Sequence, residues 1–381
     1  MKKKVSLAVI MLLVVSLVLM TGCGGGGTSG GGDSGGGAAS GGGEPAGGGD
    51  TPSGGGDTPA GGGGGESVTI RIGAGTGADN PMATFMDRFK EYAERESGGR
   101  ITVEIYPFGQ LGTNAQMIQA VSDGSVEMYL VPSNYWGAIV PEINAATLPG
   151  LFDDSDHAVR ALKTDQENIF EPIFNAAGIT NLGWCFLNDY ILASNKDMST
   201  IDNLAGQKIW SNPGASFEGF LAGMGATPSL VDVGEMTSGL QNGTFDGTFG
   251  GMSLFKPFTI QSVCDYLYKG PTIVGLFPVM ANLDWLNSLP EDLKAIVVDG
   301  SRIISYDGYD NYNSIYEYAG LYQIEAIELV IADGMTVIDP SEADWVKMRA
   351  VMDNVTETAL STNPSFQPYY DKLLPLAEAT R

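Results

Sequence analysis

Histidine is almost missing from this chain of 381 residues, with His157 the only one. It lies in an acidic stretch, Asp153-Asp154-Ser155-Asp156-His157, so neither a His-built zinc site nor a Ser-His-Asp triad can be assembled around it. Cysteine is scarce too. Beyond Cys23 only Cys185 and Cys264 remain, too far apart for a metal motif, and two buried free thiols are expected in preference to a disulfide. Basic residues are few, 20 against 45 acidic ones, and three of them, Lys2, Lys3 and Lys4, stand at the very start. So acidic a surface argues against nucleic acid or anionic lipid as a direct partner. Nothing singles out a carboxylate pair of the glycosidase kind among the many acids. The expectation is a protein that is not an enzyme and has neither metal nor cofactor.

The three lysines precede an apolar run, Val5 to Met20, too short for a comfortable membrane span, which ends at Met20-Thr21-Gly22-Cys23. This resembles a bacterial lipoprotein signal, with Met20 where such signals usually have leucine. On that reading residues 1–22 are removed and Cys23 becomes a lipidated N-terminus that holds the protein to the cell membrane from outside the cytoplasm. From Gly24 to Glu66 the chain is almost entirely Gly, Ser, Thr, Pro, Ala and a few acids, a composition that buries no apolar surface. Residues 23–66 therefore read as a lipidated cysteine and a disordered tether reaching about 35 Å root-mean-square.

Ser67 to Arg381 is long enough for a core divided into two lobes. Val68 to Ile72 reads as a strand. Asp79-Asn80-Pro81 opens a helix with Met82, Phe85, Met86, Phe89 and Ala93 on one face, and Ile101 to Tyr106 alternates like a half-buried strand. A second series runs through strands at Ile191 to Ser194, Gln207 to Trp210, Thr227 to Leu230 and Thr244 to Gly247, with helices at Ser216 to Met224 and Glu235 to Asn242. Between Pro290 and Gly334 no proline interrupts a helical apolar spacing, which predicts a long or kinked helix joining the lobes. The fold class is α/β, two-lobed and hinged. Residues 67–187 with about 277–315 form lobe I, and 188–276 with about 316–381 form lobe II. Ligands in open α/β sheets sit beyond the carboxyl ends of strands. That directs attention to Gly73–Gly77, Pro107–Asn114, Ser133–Trp136, Trp210–Gly214 and Thr248–Ser253. Gly73-Ala74-Gly75-Thr76-Gly77-Ala78 formally fits a dinucleotide fingerprint, but the second strand ends in Tyr106-Pro107-Phe108-Gly109 without the acid such sites use, so a tight turn is the reading.

Successive blocks, Tyr106-Pro107-Phe108-Gly109-Gln110-Leu111-Gly112, Val140-Pro141-Glu142, Leu148-Pro149-Gly150-Leu151-Phe152, Asn203-Leu204-Ala205-Gly206-Gln207-Lys208-Ile209, Met224-Gly225-Ala226-Thr227-Pro228 and Leu289-Pro290-Glu291-Asp292-Leu293, resemble DctP-type binding proteins of TRAP transporters in the right order. The resemblance implies a receptor that closes two lobes on a small organic molecule, shares a long helix between them, and hands its cargo to an ion-coupled membrane transporter. A same-fold ligand sensor and an exported carbohydrate-active enzyme are the alternatives. The resemblance also marks a departure. Where most members place an arginine for the ligand's carboxylate, after Lys208-Ile209, this chain has Trp210, and Tyr190 stands where some acid-binding members have another. Trp210, Tyr190, Phe249, Tyr135 and Trp136 are expected to offer stacking or cation-π contact instead, Trp210 and Tyr190 above all. Gly75, Asn114, Ser133, Asn134, Trp136, Asn212, Val233 and Gly250 complete the expected site. The ligand is then neutral, aromatic or cationic rather than a simple carboxylate.

Overall fold

A computed structural model describes residues 66–381, apart from 78, 166–167 and 309–311. The signal, Cys23 and nearly all of the tether lie outside the described residues. The strands are β1 (Val68–Ala74), β2 (Ile101–Tyr106), β3 (Met128–Leu130), β4 (Ile179–Ser194), β5 (Lys208–Ser211), β6 (Thr227–Ser229), β7 (Gly247–Gly251), β8 (Tyr266–Asn282) and β9 (Thr336–Ile338). The helices are α1 (Pro81–Glu96), α2 (Asn114–Ser122), α3 (Ser133–Trp136), α4 (Ser155–Lys163), α5 (Glu171–Ala176), α6 (Ala215–Gly223), α7 (Met236–Gln241), α8 (Phe255–Phe258), α9 (Leu283–Ser288), α10 (Glu291–Arg302), α11 (Ile315–Ala332), α12 (Glu342–Thr362) and α13 (Gln367–Thr380).

Local chemistry explains how the chain starts. In β2, Ile101 and Val103 are buried while Thr102 and Glu104 are exposed, the two-residue period of a strand with one covered face. Asn80 caps α1 by accepting hydrogen bonds from the backbone N–H groups of Met82 and Ala83, and Pro81 fits the first turn because no donor is needed there. Met82, Phe85, Met86, Phe89 and Ala93 then face the sheet. Each large side chain so buried stabilises the fold by roughly 1.5 to 3 kcal/mol.

All nine strands join one sheet in the order β2-β1-β3-β8-β4-β7-β5-β6, with β9 on the free stretch of β8. β1, β2 and β3 run parallel at one end, and β5, β6 and β7 at the other. The two ends are tied together by β4 and β8, antiparallel strands of 16 and 17 residues, each about 50 Å long. Register shifts between Asn181 and Leu192 bend this pair. Each half of the sheet is covered on both faces. In the first half, α1 and α10 pack with β1 on one side and α2, α4 and α13 on the other. In the second half, α6 and α12 cover one side and α7 and α11 the other.

Three sequence expectations are corrected here. The long helix is two: α10 runs into a π-helical turn, Ile303–Asp307, and stops at Gly308, whose φ of +78° suits glycine. α11 restarts with Ser314 as its cap. α11 alone crosses between the halves, its Ile315 and Ala319 packed in the first and its Tyr322, Ala326 and Val330 in the second. The strand expected at Thr244–Gly247 begins where that span ends, so Phe249 and Gly250 lie inside β7 rather than on a loop. The strand β8 falls outside the expected elements altogether. Cys185 and Cys264 are both free and buried, in different cores. Burial pushes both thiols up, Cys264 to about 12.

Candidate functional site

All five strand-end segments singled out in the sequence reach one cavity between the halves of the sheet. Gly75 and Thr76 follow β1, Asn114 opens α2, and Pro132 and Tyr135 lie at α3; from the other half come Asn212 after β5, Val233, and Gly251, Ser253 and Leu254 at the end of β7. Met82, Leu130, Val131, Tyr190 and Phe277 complete the walls. The space is about 30 Å³. On that measure one water needs roughly 10 to 15 Å³, so the cleft is closed.

The polar lining is a chain of amides and hydroxyls. The Tyr129 hydroxyl donates to Asn114 Oδ1 at 2.6 Å. Asn212 is held from both sides, its Nδ2 donating to the Tyr190 hydroxyl and its Oδ1 accepting from the Tyr135 hydroxyl at 3.2 Å. Burial raises the pKa of Tyr129, Tyr135 and Tyr190, the nearby Asp232 adding to the effect on the first two. All three hydroxyls therefore stay protonated at any physiological pH, those of Tyr129 and Tyr135 donating and that of Tyr190 accepting. Asn188 Nδ2 donates to Ser253 Oγ at 2.9 Å, while Asn188 Oδ1 is buried with no partner. Backbone approach is close at two glycines. A Cβ on Gly251 would lie 2.2 Å from Asn188 Oδ1, and one on Gly75 would lie 2.5 Å from Asn114 Oδ1. Both positions require the bare backbone.

Among the described residues, none that lines the cavity carries a charge. The cations of the neighbouring strands and helices are committed elsewhere. Arg71 forms a two-pronged pair with Glu127, at 2.9 and 2.6 Å. Lys256 pairs with Glu325 at 2.9 Å and lies over the Tyr322 ring, and Lys196 faces Asp246 at 3.6 Å.

Of the residues expected from sequence, Gly75, Asn114, Tyr190, Asn212 and Val233 meet at the cavity. Others do not, and the expectation is corrected for them. Trp210 is fully buried and its indole N–H donates to Val231 O at 3.0 Å; its ring belongs to the core behind Val233 and Leu254. Phe249 packs edge-on to Tyr190 and Phe217. Gly250 sits between Leu254 and Trp210, and Trp136 is core. Ser133 is fully buried, and Asn134 lies not on this cavity but on a larger space beside it, its Nδ2 donating to Pro213 O at 2.5 Å across the two halves. The sequence reading missed Met82, Leu130, Leu254 and Phe277 as lining. Apolar residues at those spacings read as ordinary core, and nothing in one sequence separates the two roles.

The profile of bacterial extracellular solute-binding proteins, family 7 (DctP), matches residues 72–363. Among curated relatives, the C4-dicarboxylate-binding periplasmic protein of Rhodobacter capsulatus is 24% identical, covering 60% of this chain and 69% of that protein. The ectoine/5-hydroxyectoine-binding periplasmic protein of Ruegeria pomeroyi is 23% identical, covering 66% and 71%. Among solved structures, the sugar acid binding protein of Advenella mimigardefordensis, in complex with galactonate, superposes with a TM-score of 0.75 at 20% identity, over 83% of this chain and 99% of that one. A TRAP periplasmic solute binding protein of Desulfovibrio salexigens with bound orotic acid gives 0.73 at 22%, over 82% and 98%.

Proposed function

The chain belongs to the bacterial extracellular solute-binding proteins, family 7, and we propose that it captures a small uncharged organic molecule between the halves of its sheet and delivers it to a TRAP-type membrane transporter. The observation that carries the ligand class is the cavity wall, which among the described residues holds amides, hydroxyls and apolar groups and no charge. A desolvated carboxylate without a cationic partner is strongly disfavoured in such a place. Tyr135, Tyr190 and Phe277 supply the aromatic surface first sought at Trp210 and Phe249. The carbonyl and hydroxyl oxygens of Asn114, Asn212 and Ser253 on the wall favour a ligand bearing N–H or O–H groups. Relatives that bind C4-dicarboxylates and sugar acids differ in cargo on this reading.

Ligand pockets usually measure about 300 to 1,000 Å³, so uptake requires the halves to part and close again around the solute, with β4 and β8 as the bending pair. We assign the anchor to Cys23, on the strength of the signal motif and the glycine tether. Thermal shift against a metabolite panel tests the ligand class. Uncharged amides, polyols or aromatic compounds should raise the melting temperature; stabilisation by succinate or galactonate alone would refute it. Cys23→Ser should release the protein from membranes, and a mature N-terminus beyond residue 24 would remove the anchor.

A further inference from the structure

Beside the closed cavity lies a second, larger space of about 490 Å³, open to solvent and built from both halves of the sheet. Asn114 and Tyr135 line both spaces, and Tyr135 holds Asn212, a wall residue of the inner one, through its hydroxyl. The outer space has apolar wall at Ile118, Pro213 and Leu230, the last of them 48% exposed. Among the described residues its wall has one charged side chain, Asp232, whose Oδ1 accepts from Gly234 N–H at 2.9 Å. Its field reaches inward, since it is felt at the hydroxyls of both Tyr129 and Tyr135.

We infer that the two spaces are chambers of one site, divided by a movable Tyr135, and that the ligand is an elongated molecule with an uncharged hydrogen-bonding head and an amine-bearing tail directed at Asp232. The inference rests on the uncharged inner cavity proposed above. The volumes motivate it: about 30 Å³ holds no organic solute, whereas the outer chamber has the size of a ligand site. Tyr135 is tied to the opposite half by a long hydrogen bond of 3.2 Å to Asn212, while its ring packs on the core of its own half, so swinging it aside breaks that tie and gives up part of this packing, a cost the bound ligand has to offset. The charge pattern sets direction. A head with donors and acceptors meets Asn114, Asn212 and Ser253, a chain passes Tyr135 and Leu230, and a cation ends at the one carboxylate.

Three probes with the same amide head separate the elements: 6-aminohexanamide with an ammonium tail, hexanamide with a methyl tail, and adipamate with a carboxylate tail. By calorimetry at low salt, the ammonium probe should bind wild type about three- to fivefold tighter than hexanamide, the range of an exposed ion pair, and adipamate should bind weakest. Asp232→Asn, which keeps the acceptor for Gly234, should remove the difference. Asp232→Lys should reverse the order. Tyr135→Ala should speed association of 6-aminohexanamide more than that of tail-less acetamide. Affinities within twofold across the three tails, or an order unchanged in Asp232→Lys, overturn the outer chamber while leaving the inner cavity's reading intact, provided hexanamide binds. Failure of the three probes and of every uncharged panel compound to stabilise the protein refutes the uncharged-cavity reading itself, and this inference with it.

Discussion

Restoring the arginine that most relatives carry after Lys208-Ile209 should damage the protein rather than create an acid site. Trp210 is fully buried, and its indole N–H satisfies Val231 O at 3.0 Å. In Trp210→Arg the indole's packing against Val233, Met236 and Met252 is lost, and removing such a ring from a core costs about 3 to 5 kcal/mol. A guanidinium there recovers part of that through its stem but leaves a buried charge without a carboxylate, a penalty of similar size. The net destabilisation is about 4 to 6 kcal/mol, a large share of the roughly 5 to 15 kcal/mol that holds a typical fold together. At about 2 °C per kcal/mol for a chain of this length, the melting temperature should fall by about 10 °C. Trp210→Phe, which keeps a ring and loses one hydrogen bond, should cost only about 1 to 2 kcal/mol. Urea unfolding gives the stabilities, and calorimetry with succinate and galactonate gives the binding. A Trp210→Arg protein that melts within 2 °C of wild type and gains tight carboxylate binding would show that residue 210 faces the ligand, and the reasoning from burial would fall.

Gly251→Ala should abolish ligand binding while leaving a folded protein, because its Cβ would displace the Asn188 amide and break the bond to Ser253 that shapes the cavity wall; unchanged calorimetric affinity would refute this. Asp344 is pushed upward by burial, but hydrogen bonds from Ser341, Thr200 and Ile201 outweigh that and hold it at about 2. A depressed carboxylate stabilises the fold above its ordinary pKa and loses that contribution as pH falls from about 4 to 2, so Asp344→Asn should flatten the acid limb of a stability profile measured by urea unfolding. Asp189 behaves oppositely, raised to about 6 by burial and by neighbouring Asp154 and Asp156 against the hydrogen bonds from Ser155. The folded state keeps a proton the unfolded chain has released, so stability falls as pH rises from about 4 through 6, and Asp189→Asn should remove that slope.

The elements legible in the sequence are those whose signals are local. Asn80-Pro81 and the alternation of Ile101 to Tyr106 fix α1 and β2 without reference to anything distant. β8 is not legible because Gly270, Pro271, Gly275 and Pro278 punctuate it like loops, and pairing with β4 from end to end, with β3 and β9 on its other edge, makes it a strand. β7 is Gly247-Thr-Phe-Gly-Gly, which has no intrinsic strand preference and is held by neighbours on both sides. For the site, the rule about strand ends leads to five segments that all reach the cavity, though not to Met82 on α1 or Phe277 on β8. The individual side chains were harder. A strand shows its residues to alternate faces, and sequence alone does not say which face of β5 or β7 meets the cleft, so Trp210 and Phe249 were read outward when they point into the cores.

The chain passes between the two halves of the sheet along β4, again along β8, a third time along α11, and a fourth between α12 and α13. Neither half is therefore a continuous stretch of sequence, and no single cut yields two self-sufficient pieces. A ribosome finishing the first half must wait for β8, synthesised some hundred positions after β4 begins, before that half has its closing strand beside β3. Nascent chains truncated before Tyr266 should be protease-sensitive throughout, and a break made at Gly308, between α10 and α11, should leave two fragments that survive only by staying bound to one another.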